Sequence, residues 1–589
     1  MTKLVVDYSR DNLFDELGLK RLKESYMRPE EKSPQDRFAY VAEAFGSCPF
    51  HAQRLYDYAS KHWLSFSTPI LAFGKDPKAM PISCFLPYMD DSAAGLVNTL
   101  SETNWLSMMG GGVGISVGIR ASDGKSTGVM PHLKVYDSAC LAYKQGTTRR
   151  GSYAMYLDIS HPDITQFLEM RKPTGDVNSR CHNLHHGINI TDKFMQIIER
   201  CTSDPKADDS WELINPNDGK VYETVSAKEL WMKIIELRMT TGEPYLHFID
   251  TTNKALPEYQ KAMGLKCHGS NLCSEITLAQ NKDRTAVCCL SSVNLEYWDA
   301  WKDDDLFLHD IAEMLDNVLE YFIDSAPEEI SRAAYSAYRE RSIGIGALGF
   351  HALLQQKMIA FESPMAVGLN KRIFKHIREQ LNAANSLLGI LRGSCPDAVE
   401  SGAVHRRFSH LMAIAPNASS SIIMGNTSPS VEPFRANAYR QDTLSGSSIN
   451  RNRFLDSIIN RYYSEKKISL TPEKVWEDIV SNEGSVQHLD FFSEHEKEVF
   501  KTAMEIDQQW VIQHAADRQE YIDQAQSINL FFRPDDSIKY IHNVHLRAWQ
   551  MGLKTLYYCR SEKIGKADKV NNKVVRRVID EETACLACE

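Results

Sequence analysis

No stretch of eighteen consecutive apolar residues occurs in the 589-residue chain, which excludes a spanning helix. The opening residues, Met1-Thr2-Lys3-Leu4-Val5-Val6-Asp7, meet charge too soon for a signal peptide. Positive charge is in short supply: 67 Lys and Arg against 77 Asp and Glu leave a net −10. Basic faces supply affinity for nucleic acid and for acidic membranes, so neither nucleic acid nor a membrane is expected as a main partner. The glycine run at 110–118 has no Gly-Lys-Ser/Thr ending and is not a P-loop. No C-x2–4-C knuckles surround Cys267, His268, Cys273, Cys288 and Cys289, which argues against zinc there, and no metal ligand is assigned. Thirteen cysteines, odd in number and irregularly spaced, do not make a secreted disulfide framework. Without an export signal the expected compartment is the reducing cytoplasm, where thiols stay free or serve chemistry.

What is present is ordinary globular composition, 43% hydrophobic and 24% charged. Roughly four domains would follow from length alone, though large α/β barrels break that rule. Helical spacing of Phe38, Val41, Ala42 and Phe45 predicts a helical lead-in over 11–62. Pro81-Ile82-Ser83-Cys84-Phe85-Leu86 reads as a strand with a thiol inside it, and Asp90-Asp91-Ser92 as the cap of a helix over 93–109. Glycines at 110–118 allow close backbone approach before a strand. Gln145-Gly146-Thr147-Thr148-Arg149-Arg150-Gly151 suits either an anion or nucleotide, or a solvated basic turn. His182, His185 and His186 lack the spacing of helical metal ligands. Residues 205–222 and 439–452 read as loops, and 227–241 as a helix leading towards the central stretch.

The stretch Asn271-Leu272-Cys273-Ser274-Glu275 places an amide, a thiol and a carboxylate at alternate positions. In an extended segment all three share one face, with leucine and serine opposite. By itself the stretch fits a buried, inert cysteine as well as a reactive one. Gly344-Ile345-Gly346-Ala347-Leu348-Gly349 fits G-x-G-x-x-G, but Arg339-Glu340-Arg341 stands where a buried first strand should run, so a strand-to-helix turn is expected. Pro416-Asn417-Ala418-Ser419-Ser420-Ser421 offers hydroxyls and backbone N–H groups, either a phosphate seat where a helix starts or a simple cap. Residues 552–559 read as a last strand, on which Tyr557 and Tyr558 face opposite ways, one to the core and one to the surface. Beyond Arg560 the composition predicts a flexible tail, ending in Cys585-Leu586-Ala587-Cys588-Glu589, a redox dithiol in preference to a metal site.

In that order, Ser67-Thr68-Pro69, Cys84, the 145–151 loop, Asn271-x-Cys273-x-Glu275, Cys288, Arg341-x-Ile343-Gly344-Ile345-Gly346, the 416–420 turn, Tyr557-Tyr558 and the terminal cysteine pair resemble the large catalytic (α) subunit of class I ribonucleotide reductases. The resemblance implies a ten-stranded α/β barrel with a central finger loop over 67–560, a mainly helical region at 1–66, and a redox-active tail at 561–589. It implies ribonucleoside diphosphates as substrates and a radical on Cys273 that abstracts the 3′ hydrogen. Glu275 would act as general base and Asn271 would hold the 2′-hydroxyl. Cys84 and Cys288 would supply electrons by closing to a disulfide, with Cys585 and Cys588 re-reducing them from thioredoxin or glutaredoxin. Tyr557 and Tyr558 would relay the radical from a separate metal-containing small (β) subunit, this chain binding no cofactor of its own. Thr68, Ser83, Pro416, Asn417, Ala418, Ser419 and Ser420 would hold substrate. Asp91, Arg120, Gln145 and Arg149 would belong to a specificity site at the interface of an α homodimer, read by ATP, dATP, dTTP or dGTP. Cobalamin-dependent reductases share the cysteine set, and the tyrosine pair favours class I over them.

Many class I members carry an N-terminal ATP-cone. Only 66 residues precede Ser67, too few for a cone plus the lead-in, since domains rarely fall below ~50 residues. dATP is therefore expected not to shut the enzyme off through a cone. Potent dATP inhibition of the purified α/β pair, traced to the first 66 residues, would overturn this.

Overall fold

The computed structural model describes residues 4–143, 151–443 and 446–561. The helical lead-in is present. Its helices are Glu16–Ser25, Pro34–Phe45 and Pro49–Ser60, and the second opens on a capping box between Ser33 and Asp36 with proline at its first turn. Phe38, Val41, Ala42 and Phe45 all lie on its buried face.

Beyond it, strands wind into a ring. Cys84–Leu86, Gly112–Val117, Tyr153–Asp158, Leu184–Ile190 and Tyr245–Phe248 pair in parallel, one after the next. Cys84–Leu86 also pairs antiparallel with Ala286–Asn294, which runs parallel to Ile343–Leu348. On the other side, Thr555–Leu556 runs antiparallel to Tyr245–Phe248. Two extended segments close the gap. Segment 410–414 takes bonds from Ile343 N and Ile345 N, and Ile414 bridges Gln526 in parallel. Segment 524–528 then bonds to Tyr557 N through Ile528 O. The result is a closed α/β barrel of ten staves, two parallel halves joined antiparallel, and closure leaves no sheet edge exposed at the centre.

The chain's apolar pattern fits this ring. Strands buried on both faces read as continuous hydrophobic runs, and Ala286–Asn294 is buried at all nine positions. The helix Phe307–Ser325 packs outside, with Leu308, Ile311, Ala312, Leu315, Val318, Leu319 and Phe322 all inward. The helix Ala227–Thr241 falls where expected, capped by Ser226 and stopped by left-handed Gly242.

Two expected loops prove to contain hairpins: Ser210–Ile214 pairs with Val221–Ser226, and Ala438–Thr443 with Gly446–Arg451. In the first, Trp211 and Leu213 alternate with exposed residues, a period of two masked by the flanking Asp, Asn and Gly. The second precedes a small satellite core containing Leu455, Ile459, Trp476, Ile479 and Phe500.

Candidate active site

The barrel's interior holds its own hydrophobic cluster, distinct from the main core, which contains Cys84, Cys273, Cys288, Tyr156, Tyr245, Tyr557 and Tyr558. Residues 265–280 thread into it without regular structure. The loop lies so close to the strand Gly112–Val117 that a Cβ on Gly114 would come within 2.1 Å of Ser270 O. That close approach is what the glycine run permits.

The extended reading of Asn271–Glu275 fails here. The chain turns at Leu272 and Cys273, with Ser274 N bonded to Asn271 O at 3.3 Å and Ser274 left-handed at φ +67°. Tyr156 pins the turn, donating to Asn271 O at 2.8 Å and lying 3.0 Å from Ser274 Oγ. Asn271 Oδ1 accepts from Ile276 N at 3.1 Å, which leaves its Nδ2 pointing at Cys84 Sγ, 3.8 Å away. Ser527 Oγ, from the stave at 524–528, bonds Cys273 O at 2.5 Å and Glu275 Oε2 at 3.1 Å. The amide, thiol and carboxylate are therefore gathered by a pinned turn, not by strand alternation.

Cys84 and Cys288 are 204 residues apart in sequence yet face each other directly across the antiparallel pair. Direct cross-strand partners have Cα atoms about 4.5–5.5 Å apart, inside the range a disulfide spans. Both are free thiols in this structure. Burial pushes the Cys288 thiol well above its ordinary range; nearby Cys84, Cys289 and Glu275 add to this, and a 3.6 Å contact from Gln524 Nε2 opposes it. At neutral pH Cys288 thus holds its proton. The glycines of the 344–349 motif serve the same interior. A Cβ at Gly344 would sit 3.0 Å from Cys288 Sγ, and one at Gly346 2.6 Å from Ala413 O. The motif runs along a strand into the helix Phe350–Gln356, as a strand-to-helix turn requires.

The expectation of one buried and one surface tyrosine is overturned. Tyr557 and Tyr558 are 2% and 5% exposed. The last strand breaks at them, between Thr555–Leu556 and Cys559–Ser561, so alternation does not apply. Their rings sit 4.3 Å apart, with Tyr245 4.7 Å from Tyr557 and 5.1 Å from Tyr558. Tyr557 OH lies 3.5 Å from Cys273 Sγ.

The remaining expected residues lie farther out. Ser83 Oγ is 3.7 Å from Cys84 Sγ. Thr68 opens the short helix Thr68–Leu71, its hydroxyl 3.2 Å from Tyr26 OH. A helix does start in the serine turn, at Ala418, behind a left-handed Asn417 whose Nδ2 donates to Ser292 Oγ at 2.8 Å. Arg21 Nη2 reaches Ser419 Oγ at 3.0 Å. Asp91 and Arg120 form an ion pair, Nε to Oδ2 3.0 Å. Gln145, Arg149, Cys585 and Cys588 lie outside the described residues. Sequence reasoning missed Tyr156, Tyr245, Gln524, Ser527, Arg21 and Tyr26, none of which stands in a motif.

The ribonucleotide reductase barrel-domain family matches residues 82–403 and 398–559, and the all-alpha domain of the same enzymes matches 12–79. The chain belongs to the ribonucleotide reductase large-subunit family. It is 50% identical to the ribonucleoside-diphosphate reductase large subunit of Invertebrate iridescent virus 3, across all of both chains. To that of Trypanosoma brucei brucei it is 30% identical, over 96% of this chain and 76% of the relative. Its structure is similar to the Actinobacillus ureae class Id ribonucleotide reductase alpha subunit, with TM-score 0.81, 34% identity, and 95% and 98% of the two chains covered. It is accordingly an enzyme of ribonucleotide reduction, and in this family the radical comes from a separate subunit. Among the described residues no helix is long and apolar enough to cross a membrane.

Proposed function

We propose that this ribonucleotide reductase carries its radical chemistry on Cys273, with Glu275, Asn271, Cys84 and Cys288 as its partners. The observation that carries the reading is convergence. Tyr557 OH is 3.5 Å from Cys273 Sγ, while Asn271 of the same turn faces Cys84, whose cross-strand partner is Cys288. The radical passes from the small subunit through Tyr558 and Tyr557 to Cys273. The sulfur radical takes the 3′ hydrogen of a ribonucleoside diphosphate, and Glu275 takes the 3′-hydroxyl proton. Asn271 holds the 2′-hydroxyl, which leaves as water with a proton from the thiol pair. Cys84 and Cys288 supply two electrons and the hydrogen that takes the hydroxyl's place at C2′, joining as a disulfide; Glu275 gives its proton back to the 3′ oxygen, and the 3′ hydrogen returns from Cys273. Cys585 and Cys588 then reduce the disulfide by exchange, recharged by thioredoxin or glutaredoxin.

Thr68, Ser83 and the 416–420 turn hold the substrate, the turn taking its diphosphate at a helix N-terminus. Asp91 and Arg120, with Gln145 and Arg149, form the specificity site of an α homodimer that reads ATP, dATP, dTTP or dGTP. Effector and substrate sites are coupled there through differential affinity.

The test is an activity assay with each nucleoside diphosphate, with and without a candidate small subunit. Turnover should require the small subunit. Turnover without it, restored by adenosylcobalamin, would overturn the class I reading. A second expected result concerns the base. Glu275→Gln should lower kcat about 10²–10⁴-fold, the usual contribution of a positioned base, and leave KM within a few fold. Wild-type kcat in that variant would remove Glu275 from the proton transfer.

A further inference from the structure

Outside the tyrosine pair, away from Cys273, lies a buried cluster of titratable groups that the chemistry above does not use. Tyr558 OH is 3.2 Å from His185 Nδ1, and the same nitrogen is 2.6 Å from Glu243 Oε1. The other carboxylate oxygen accepts from His186 N at 3.0 Å and lies 3.0 Å from His186 Nδ1 and 3.6 Å from Arg171 Nε. Glu243 and His186 are fully enclosed, while His185 keeps 16% of its side chain exposed. Burial opposes charge on Glu243, yet Arg171 and the two histidines hold its carboxyl well below the usual range. Arg238 packs beneath, donating to Tyr557 O at 3.0 Å, and Tyr245 fills the space between the tyrosines. Over the open face of Tyr558 stands Arg560, its guanidinium carbon 4.3 Å from the ring centre.

That cation matters for an electron leaving the ring. A guanidinium over an aromatic face favours its negative face and opposes positive charge on it. Tyr558 therefore cannot give up an electron and keep its proton cheaply. The phenolic proton must leave in the same event; His185 Nδ1 is within hydrogen-bonding reach of the hydroxyl, and Tyr245, the other side chain that interacts with it, is a phenol held protonated by burial.

We propose that His185 and Glu243 form a proton relay for radical transfer through Tyr558, an inference resting on the radical-relay reading of that tyrosine. The electron of Tyr558 goes to the radical of the small subunit. Its proton goes to His185 Nδ1 as the proton shared between Nδ1 and Glu243 Oε1 settles on the carboxylate. The pair thus holds one proton before the step and two after it, and Tyr558 is left as a neutral radical. When the radical returns, both protons move back. His186 and Arg171 anchor the carboxylate, and Arg238, Tyr245 and Arg560 complete the charged and titratable groups facing the relay.

The test uses the full chain with its small subunit, effector and substrate present. Glu243→Gln keeps a hydrogen-bonding shape but cannot take the proton. It is expected to lower kcat by about 10²-fold or more, with KM unchanged. Should Glu243→Gln fail to fold, His185→Gly replaces it, and added imidazole should restore turnover through the partly exposed site. Wild-type kcat in Glu243→Gln, or no imidazole rescue of an inactive His185→Gly, would overturn the relay. Tyr558→Phe separates the two levels of inference. If it abolishes turnover while the relay variants behave as wild type, the relay is wrong and the tyrosine path stands. If it turns over normally, the path through Tyr558 falls and the relay with it.

Discussion

Cys273→Ser is expected to reduce nucleotide reduction by at least about 10⁴-fold, the scale lost when a group that bonds to the reacting atom is removed. The reason is the bond, not the shape. A thiol hydrogen and a ribose 3′ hydrogen are held with similar strength, so a sulfur radical can take the one and return the other. A serine hydroxyl holds its hydrogen much more tightly, so Tyr557 could not draw it out. The surroundings should barely notice the change. Cys273 is fully buried against Leu272, Ile276 and Tyr557, and oxygen for sulfur removes little volume. Ser527 and Tyr156 hold the turn through Cys273 O, Asn271 O and Ser274 Oγ, not through the thiol. Effector binding and the melting temperature should therefore stay near wild type while turnover vanishes. The checks are deoxynucleotide formation, effector binding by titration, and Tm on one preparation. Turnover near the wild-type rate would take Cys273 out of the mechanism.

Which residues meet in the barrel interior was legible in the sequence, and the shape of their meeting was not. Residue types follow from what a site must do. The proposed radical carrier, base, two-electron thiol pair and aromatic relay would require Cys, Glu, Cys and Tyr at fixed places in order, whatever the backbone does. Conformation depends on partners far along the chain. The turn at Asn271–Glu275 needs Ser274 at positive φ, which serine does not advertise as glycine or asparagine would. It is held by Tyr156 and Ser527, 118 and 254 residues from their partners. The tyrosine pair misled for the same reason, since alternation holds only where the strand continues, and here it stops at the pair. The histidines at 185 and 186 failed as ligands on spacing alone, and their true partner, Glu243, lies 58 and 57 residues on. Local signals did better where they were self-contained. The helix Ala227–Thr241 carries its own cap at Ser226 and its own stop at Gly242. The ring was beyond local reading, because two of its staves, 410–414 and 524–528, are held by scattered backbone bonds without a strand pattern.

Tyr557→Phe is the companion experiment, with an expected loss as large as that of Cys273→Ser and a different cause. The ring would stay. Its contacts with Tyr245 and Tyr558, at 4.7 and 4.3 Å, are contacts of faces and edges that phenylalanine can keep. What goes is the hydroxyl 3.5 Å from Cys273 Sγ, the group that would exchange a hydrogen atom with the sulfur. Without it the electron must cross from Cys273 to the Tyr558 radical with no phenol between them to take up the thiol's hydrogen, and the sulfur loses the hydroxyl 3.5 Å away. Turnover should drop to background with substrate and effector affinities unchanged. The Cys84–Cys288 thiols should still oxidise to a disulfide and be reduced again, because the strand pairing that sets them opposite each other does not depend on that hydroxyl. A thiol count after oxidation and after reduction, beside the turnover assay, distinguishes a broken radical path from a damaged barrel. If Tyr557→Phe keeps a substantial fraction of wild-type kcat, the radical does not pass through Tyr557, and the 3.5 Å contact is packing alone.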